Sequence, residues 1–214
     1  MRPALQEGSR EKRALESRVF SYGLAHNHNF SFLTIGYFGP GYRSEIYEAD
    51  PSKVEGYMGE SVELKFLEDT TLPVGKMMIY RRGWDVHTQL PPEGLSISLN
   101  LLMASSGNNA VTQYYVDTET GKIIGFPDVN TSSKRLTLLD LAGCIGDLNT
   151  VDLLDRVVQT STCFRTRVSA ARAILGLLPE HESEAYLDRL PFNPRELDVS
   201  VGEGRGGGFL RKLE

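Results

Sequence analysis

The clearest chemical pattern in the sequence is a pair of histidines, His26 and His28, with one residue between them. Side chains at positions i and i+2 of a β-strand point to the same face, so two such imidazoles can bind one metal ion from one side. His87 lies on a later predicted strand and can supply a third nitrogen if the strands close into a barrel. Neutral imidazole binds iron, zinc, copper and nickel, so the pattern predicts a transition-metal site. The alternative is that all three are ordinary structural or surface histidines.

Polar residues on either side of His87 are candidates for catalytic or binding roles. Asp85 shares the face of His87 in a regular strand and could orient an imidazole, ligate the metal directly, or simply belong to a turn. Gln89 continues the same face and could contact a substrate. Arg81 and Arg82 are adjacent, so one of them should point inward, where a guanidinium would bind a carboxylate or phosphate.

Short strands are predicted to fill residues 20–130, the part of the chain that contains these side chains. Aromatic and β-branched residues, separated by Gly and Pro turns, indicate a sandwich or barrel of many strands. The predicted strands cover residues 28–38, 42–48, 62–67, two segments of 76–90 that break at Gly83, 95–103, 111–116 and 122–126.

The pattern becomes helical after residue 130, which predicts a helical appendage over residues 131–195. Apolar spacing indicates helices near 136–145, 151–158 and 164–178, with Asn149 or Thr150 capping the second and Pro179 ending the third. The third helix resembles the second helix of a HEAT-type repeat, although one unit is too few for a solenoid. Residues 1–19 form a charged N-terminal segment, and residues 196–214 a Gly-rich tail.

Composition narrows the function classes. The net charge is −5, which argues against nucleic-acid binding, and no apolar run reaches the length that crosses a membrane. The first residues lack the apolar stretch of a signal peptide, and Cys144 and Cys163 are interpreted as reduced thiols. The expectation is a cytoplasmic protein. The fourth histidine, His181, is predicted to lie in a solvated loop or at a helix start.

Residues 26–103 resemble the cupin superfamily. The first cupin motif opens with H-x-H, which His26-Asn27-His28 matches, and the second runs from a Gly turn to a His, as LPVGKMMIYRRGWDVHTQLPPEGLSISLNLL does. The resemblance implies a cupin-type antiparallel β-barrel or jelly roll, mainly β overall with the helical appendage behind it. It also implies that His26, His28 and His87 hold a metal ion in the barrel mouth.

The sequence departs from the cupin pattern at the usual glutamate. No Glu stands three or four residues after His28, and a simple hairpin at Gly39–Gly41 would place Glu45 too far away to coordinate. Gly75 lies twelve residues before His87 and is better interpreted as part of an inter-strand turn. A site of three histidines with open coordination positions is therefore expected, and it resembles the thiol dioxygenases and other three-histidine cupin oxygenases.

The resulting functional expectation is a mononuclear non-haem Fe(II) oxygenase that uses O₂ on a small organic substrate. Zn, Ni or Mn in the same site would instead suit an isomerase, lyase or hydrolase, because three imidazoles accept several metals. A third alternative is a non-catalytic cupin that binds a small ligand. No nucleic-acid or membrane partner is expected, and a homodimer is compatible with this functional expectation.

Overall fold

A computed structural model of the protein describes residues 21–103, 111–127 and 131–198, in which nine strands precede four α-helices. The strands are β1 (Ala25–Asn27), β2 (Ser31–Phe38), β3 (Arg43–Glu48), β4 (Lys65–Thr71), β5 (Met77–Tyr80), β6 (Asp85–Leu90), β7 (Ile97–Met103), β8 (Tyr115–Asp117) and β9 (Lys122–Gly125). The helices are α1 (Thr131–Ile145), α2 (Leu148–Thr160), α3 (Phe164–Leu177) and α4 (Glu180–Leu187). The predicted division into a β-rich part followed by helices is confirmed.

The strands form two antiparallel sheets. The larger sheet has the order β4-β3-β6-β1-β8-β9, and the smaller has the order β5-β2-β7. Within the described residues the two sheets remain separate, so the expected closed barrel is not found. Some neighbours in the larger sheet are distant in the chain, since β1 lies between β6 and β8.

The two sheets are held together by an apolar cluster between them. β2 alternates inward and outward residues, with Phe32 and Thr34 buried, as the period of two in a half-buried strand requires. Phe32 stacks on Tyr80 with ring centroids 4.7 Å apart, and Ile46 of the larger sheet packs against the same cluster. Burial of these rings stabilises the contact between the two sheets.

Two predicted strand relationships are wrong. The strand expected over 28–38 forms as β2 from Ser31, but the H-x-H pair expected at its entry lies on and just after β1, a separate strand in the other sheet. The turn at Gly39–Gly41 exists, with both glycines at positive φ, but β3 pairs with β4 and β6 instead of returning along β2. Glycines of this kind determine that the chain turns, whereas burial of the two faces decides which strand it then pairs with.

The helical segment has its own core around α3. Val168, Ala171 and Ile174 of α3 are fully buried. α2 is capped by Asp147, whose carboxylate accepts from the backbone N–H of Thr150 while the Thr150 hydroxyl accepts from that of Asp147. The predicted caps at Asn149 and Thr150 were therefore two to three residues late, because a capping box uses a residue ahead of the apolar run. α4 follows Pro179 and contains His181 near its start, which is one of the two placements predicted for this histidine.

The helices pack against the β-rich part. The guanidinium of Arg165 lies 3.6 Å above the ring centroid of Phe126, and the rings of Tyr57 and Phe164 are 6.0 Å apart. These contacts bury the start of α3 against the loops of the larger sheet. None of the helices in the described ranges has both the length and the apolarity needed to cross a membrane.

Gly36 of β2 lies in close contact with the backbone of Leu72 and Pro73, the segment that follows β4. A Cβ on Gly36 would lie 2.1 Å from the carbonyl oxygen of Pro73, which is backbone and cannot rotate away. We expect Gly36→Ala to destabilise the protein by about 3 kcal/mol, a fall of roughly 10 °C in the melting temperature. Gly94→Ala is the matched control, because its Cβ would meet only Pro40 Cγ at 4.0 Å. Equal melting temperatures for the two variants would contradict this packing.

Candidate metal centre

His26 and His87 are brought together by the pairing of β1 with β6. They are direct cross-strand partners, so their side chains leave the sheet on the same face. Their ring centroids are 4.5 Å apart, and both side chains are buried. Sixty residues of chain separate them, so only the strand order places them side by side.

His28 lies just beyond the end of β1, where the chain crosses from the larger sheet to the smaller one. Its carbonyl oxygen accepts a hydrogen bond of 2.8 Å from the backbone N–H of Gly83, which fixes the crossing strand against the turn before β6. Its ring lies 4.9 Å from that of Phe32 and 5.1 Å from that of His87. The side chain therefore reaches the other two imidazoles from the junction between the sheets.

The three imidazoles converge on one point. One ring nitrogen of each of His26, His28 and His87 lies within 4.8 Å of the others, and no carboxylate or thiolate of the described residues joins the group. The Nε2 atoms of His28 and His87 are 3.0 Å apart. Two nitrogens that each bind zinc at about 2.0–2.1 Å in tetrahedral geometry are separated by about 3.3 Å, so this spacing is close to that of two ligands of one ion.

Burial keeps these histidines uncharged. Loss of solvent lowers the pKa of His26, and it lowers the pKa of His28 to about 3, with a smaller contribution from repulsion by His26. The pKa of His87 is also well below its ordinary value, because of burial first and then of the two neighbouring imidazoles. At neutral pH each ring therefore retains a nitrogen lone pair, which is the form that binds metals.

Hydrogen bonds to the remaining ring nitrogens determine which lone pair is available. Nδ1 of His26 lies 2.8 Å from the carbonyl oxygen of Leu24, to which it can only donate, so Nε2 is left free. Nδ1 of His28 is 3.4 Å from the carboxamide of Gln113, which can present either its NH₂ or its oxygen. Nδ1 of His87 has no hydrogen-bond partner among the described residues. The donor set fits one transition-metal ion, because it consists of three neutral, converging imidazoles.

Asp85 and Arg81 interact with each other and not with the histidines. The Asp85 carboxylate accepts 2.6 Å hydrogen bonds from both the backbone N–H and the Nη2 of Arg81. Nη2 of Arg81 also lies 2.7 Å from Glu48, and these two acidic partners raise the pKa of Arg81. The roles predicted for Asp85 as imidazole partner or ligand, and for Arg81 as a substrate anchor, receive no support from these contacts.

Glu45 is also outside the group of ligand atoms. It pairs with Thr88 in the larger sheet, one position along from the pairing of Ile46 with His87, so its side chain leaves on the opposite face. Its oxygens accept from Arg43 at 3.3 Å and from Tyr47 at 3.4 Å. This placement agrees with the expectation that Glu45 does not coordinate. The Gly39–Gly41 hairpin on which that expectation was based does not form.

A cavity of about 490 Å³ opens from the three histidines. Gln89 lines it, as the alternation of β6 predicts, and its catalytic role stays a prediction. Gln113 and Tyr115 line it as well, and sequence reasoning missed both because they reach the site only through the pairing of β8 with β1. No local pattern around these two residues signals that pairing.

Comparisons of this chain with protein-family models, with curated proteins and with solved structures found no match. The two antiparallel sheets, the helices and the three-histidine group are compatible with a cupin-like metal site, and the geometry alone supports that description.

Asn27, between the two histidines, ties the metal centre to the segment before β8. Its side chain is buried, donates to the carbonyl of Thr112 at 3.0 Å and accepts from the N–H of Tyr114 at 2.9 Å. We expect Asn27→Ala to cost about 3 kcal/mol, because two buried backbone groups lose their partners, and to weaken metal binding. Chemical denaturation checks this, with exposed Asn149→Ala as a control that should stay within about 0.5 kcal/mol. Equal stabilities would contradict the bridging role.

Metal binding is predicted to depend on each of the three converging histidines. Substitution of His26, His28 or His87 by Ala should lower metal affinity by more than about hundredfold, since loss of an outer hydrogen-bond partner alone costs roughly 10–100-fold. His181→Ala should have no effect, because its side chain is 80% exposed, lies next to Glu182 and is not one of the converging histidines. Metal titration with a competing chelator measures the affinities. An equal loss in the His181 variant would show that the assignment is wrong.

Proposed function

We propose that this protein is a mononuclear non-haem iron oxygenase of the cupin type that acts on a small organic substrate. The observation that carries the proposal is a group of three neutral histidines that no carboxylate of the described residues joins, facing a cavity of about 490 Å³. Three protein ligands leave coordination positions free on a metal that takes four to six, and catalytic sites need such positions. The cavity has the volume of sites that bind small molecules.

Each part of the site has a defined task in this proposal. His26, His28 and His87 would hold the ion, and Fe(II) there would supply the electrons for reaction with O₂. Phe30 and Phe32 lie beside His28, with ring centroids 5.1 Å and 4.9 Å from it, and they would limit the water that reaches the centre. Gln89 is placed to orient a bound substrate by hydrogen bonding from the cavity wall.

The alternative function is Lewis-acid catalysis by Zn, Ni or Mn, as in an isomerase, lyase or hydrolase. The 3.0 Å separation of the His28 and His87 nitrogens is close to the spacing of two ligands of a tetrahedral zinc ion. The ligand spacing therefore suits this alternative as well as it suits iron. The same imidazoles bind all these metals, so elemental analysis of protein purified without added metal is the first measurement to make.

The oxygenase proposal predicts an accessible coordination position on bound iron. Protein purified anaerobically and loaded with one equivalent of Fe(II) should give an iron–nitrosyl signal by electron paramagnetic resonance when nitric oxide, a surrogate for O₂, is added. The signal should be lost in His28→Ala and retained in His181→Ala. Full iron loading without any nitrosyl signal would contradict the oxygenase proposal and favour the Lewis-acid alternative.

A further inference from the structure

The cavity beside the histidines has an uncharged wall. Of the described residues that line it, none is an aspartate, a glutamate, a lysine or an arginine. Its walls combine aromatic and aliphatic side chains, such as Phe30, Phe32 and Leu102, with serines and three carboxamides. This composition differs from that of sites for carboxylates and phosphates, in which a guanidinium or ammonium group faces the ligand.

Arg81, which the sequence suggested as a substrate anchor, binds carboxylates outside the cavity. Arg81 forms ion pairs with Asp85 at 2.6 Å and with Glu48 at 2.7 Å, and it does not line the cavity. Drawing it inward would leave the buried Asp85 carboxylate without the guanidinium that pairs with it, which is unfavourable. The ion pairs therefore hold this positive charge away from any ligand in the cavity.

The polar groups of the wall are suited to neutral partners. Gln89, Asn100 and Gln113 each carry a carboxamide, which donates and accepts hydrogen bonds without a net charge, and Ser96 and Ser98 add hydroxyl groups. Such groups complement hydroxyl, carbonyl and amide functions. In the metal-free protein, an anion transferred into this wall would lose water without gaining a charged partner among the described residues, which is unfavourable.

We infer that the cavity selects an uncharged organic molecule, with hydroxyl, carbonyl or amide groups on an apolar skeleton. The conclusion that such a molecule is the substrate rests on the proposed function. The conclusion that the cavity wall prefers uncharged ligands can be tested without any metal or turnover, so its failure and the failure of the proposed function are distinguishable.

Benzamide and benzoate are suitable probes, because they have nearly the same shape and differ in charge at neutral pH. Their binding to the full-length, metal-free protein is measured in the presence of a chelator, by ligand-observed nuclear magnetic resonance. Benzamide should bind with a dissociation constant on the order of 1 mM, as expected for a ligand of this size, and at least tenfold more tightly than benzoate.

Variants at Gln89 show whether the preference comes from this wall. Gln89→Lys places an ammonium group in the cavity and should shift the preference toward benzoate by at least tenfold. Gln89→Met has a similar volume without charge and should keep the preference for benzamide, with weaker binding. Circular dichroism shows whether both variants are folded, and His181→Lys adds a charge outside the cavity as a further control.

Two results with the unmodified metal-free protein would overturn the inference. One is a preference for benzoate in the unmodified metal-free protein, and the other is failure of both probes to bind at tens of millimolar. Benzamide binding together with normal iron loading but no nitrosyl signal would leave the inference standing while the oxygenase proposal fails. A benzamide preference that Gln89→Lys leaves unchanged would also count against the assigned cavity.

Discussion

The pairing of β1 with β6 is the interaction on which the rest of the candidate site depends. It makes His26 and His87 direct neighbours on one face, and Asn27, on the other face, bonds to the chain just before β8. A three-residue strand has few backbone hydrogen bonds of its own, so the Asn27 side chain is an important part of what keeps it in place. The site and the order of the larger sheet are therefore stabilised by the same contacts.

The β-rich part has an uncharged region around the histidines and, next to it, a region of paired charges. The interior beside His87 is uncharged at neutral pH, because burial lowers the pKa of all three imidazoles. The cluster of Arg81, Asp85 and Glu48 concentrates opposite charges in mutual ion pairs at the turn before β6. A divalent ion at the three histidines would then be the dominant charge beside the described residues of the cavity wall.

Different parts of the sequence were predictive for different physical reasons. The helices α2 and α3 follow from a local apolar period, and the break between β5 and β6 follows from Gly83, which adopts positive φ. The strand pairings were not predictable in the same way, since the turn at Gly39–Gly41 suits either a hairpin or a crossing between sheets. The helical cap was misplaced because Asp147 and Thr150 act as a pair.

For the candidate site, the sequence by itself determined the three histidines, through the H-x-H spacing and the alternation around His87. It also determined that Gln89 shares the face of His87, because that relation depends only on residues two positions apart in one strand. The tertiary structure alone decided that Gln113 reaches His28, and that Asp85 bonds to Arg81 instead of an imidazole. Contacts between distant segments depend on strand order and register, which are selected by burial of whole faces and leave no signature in a local pattern.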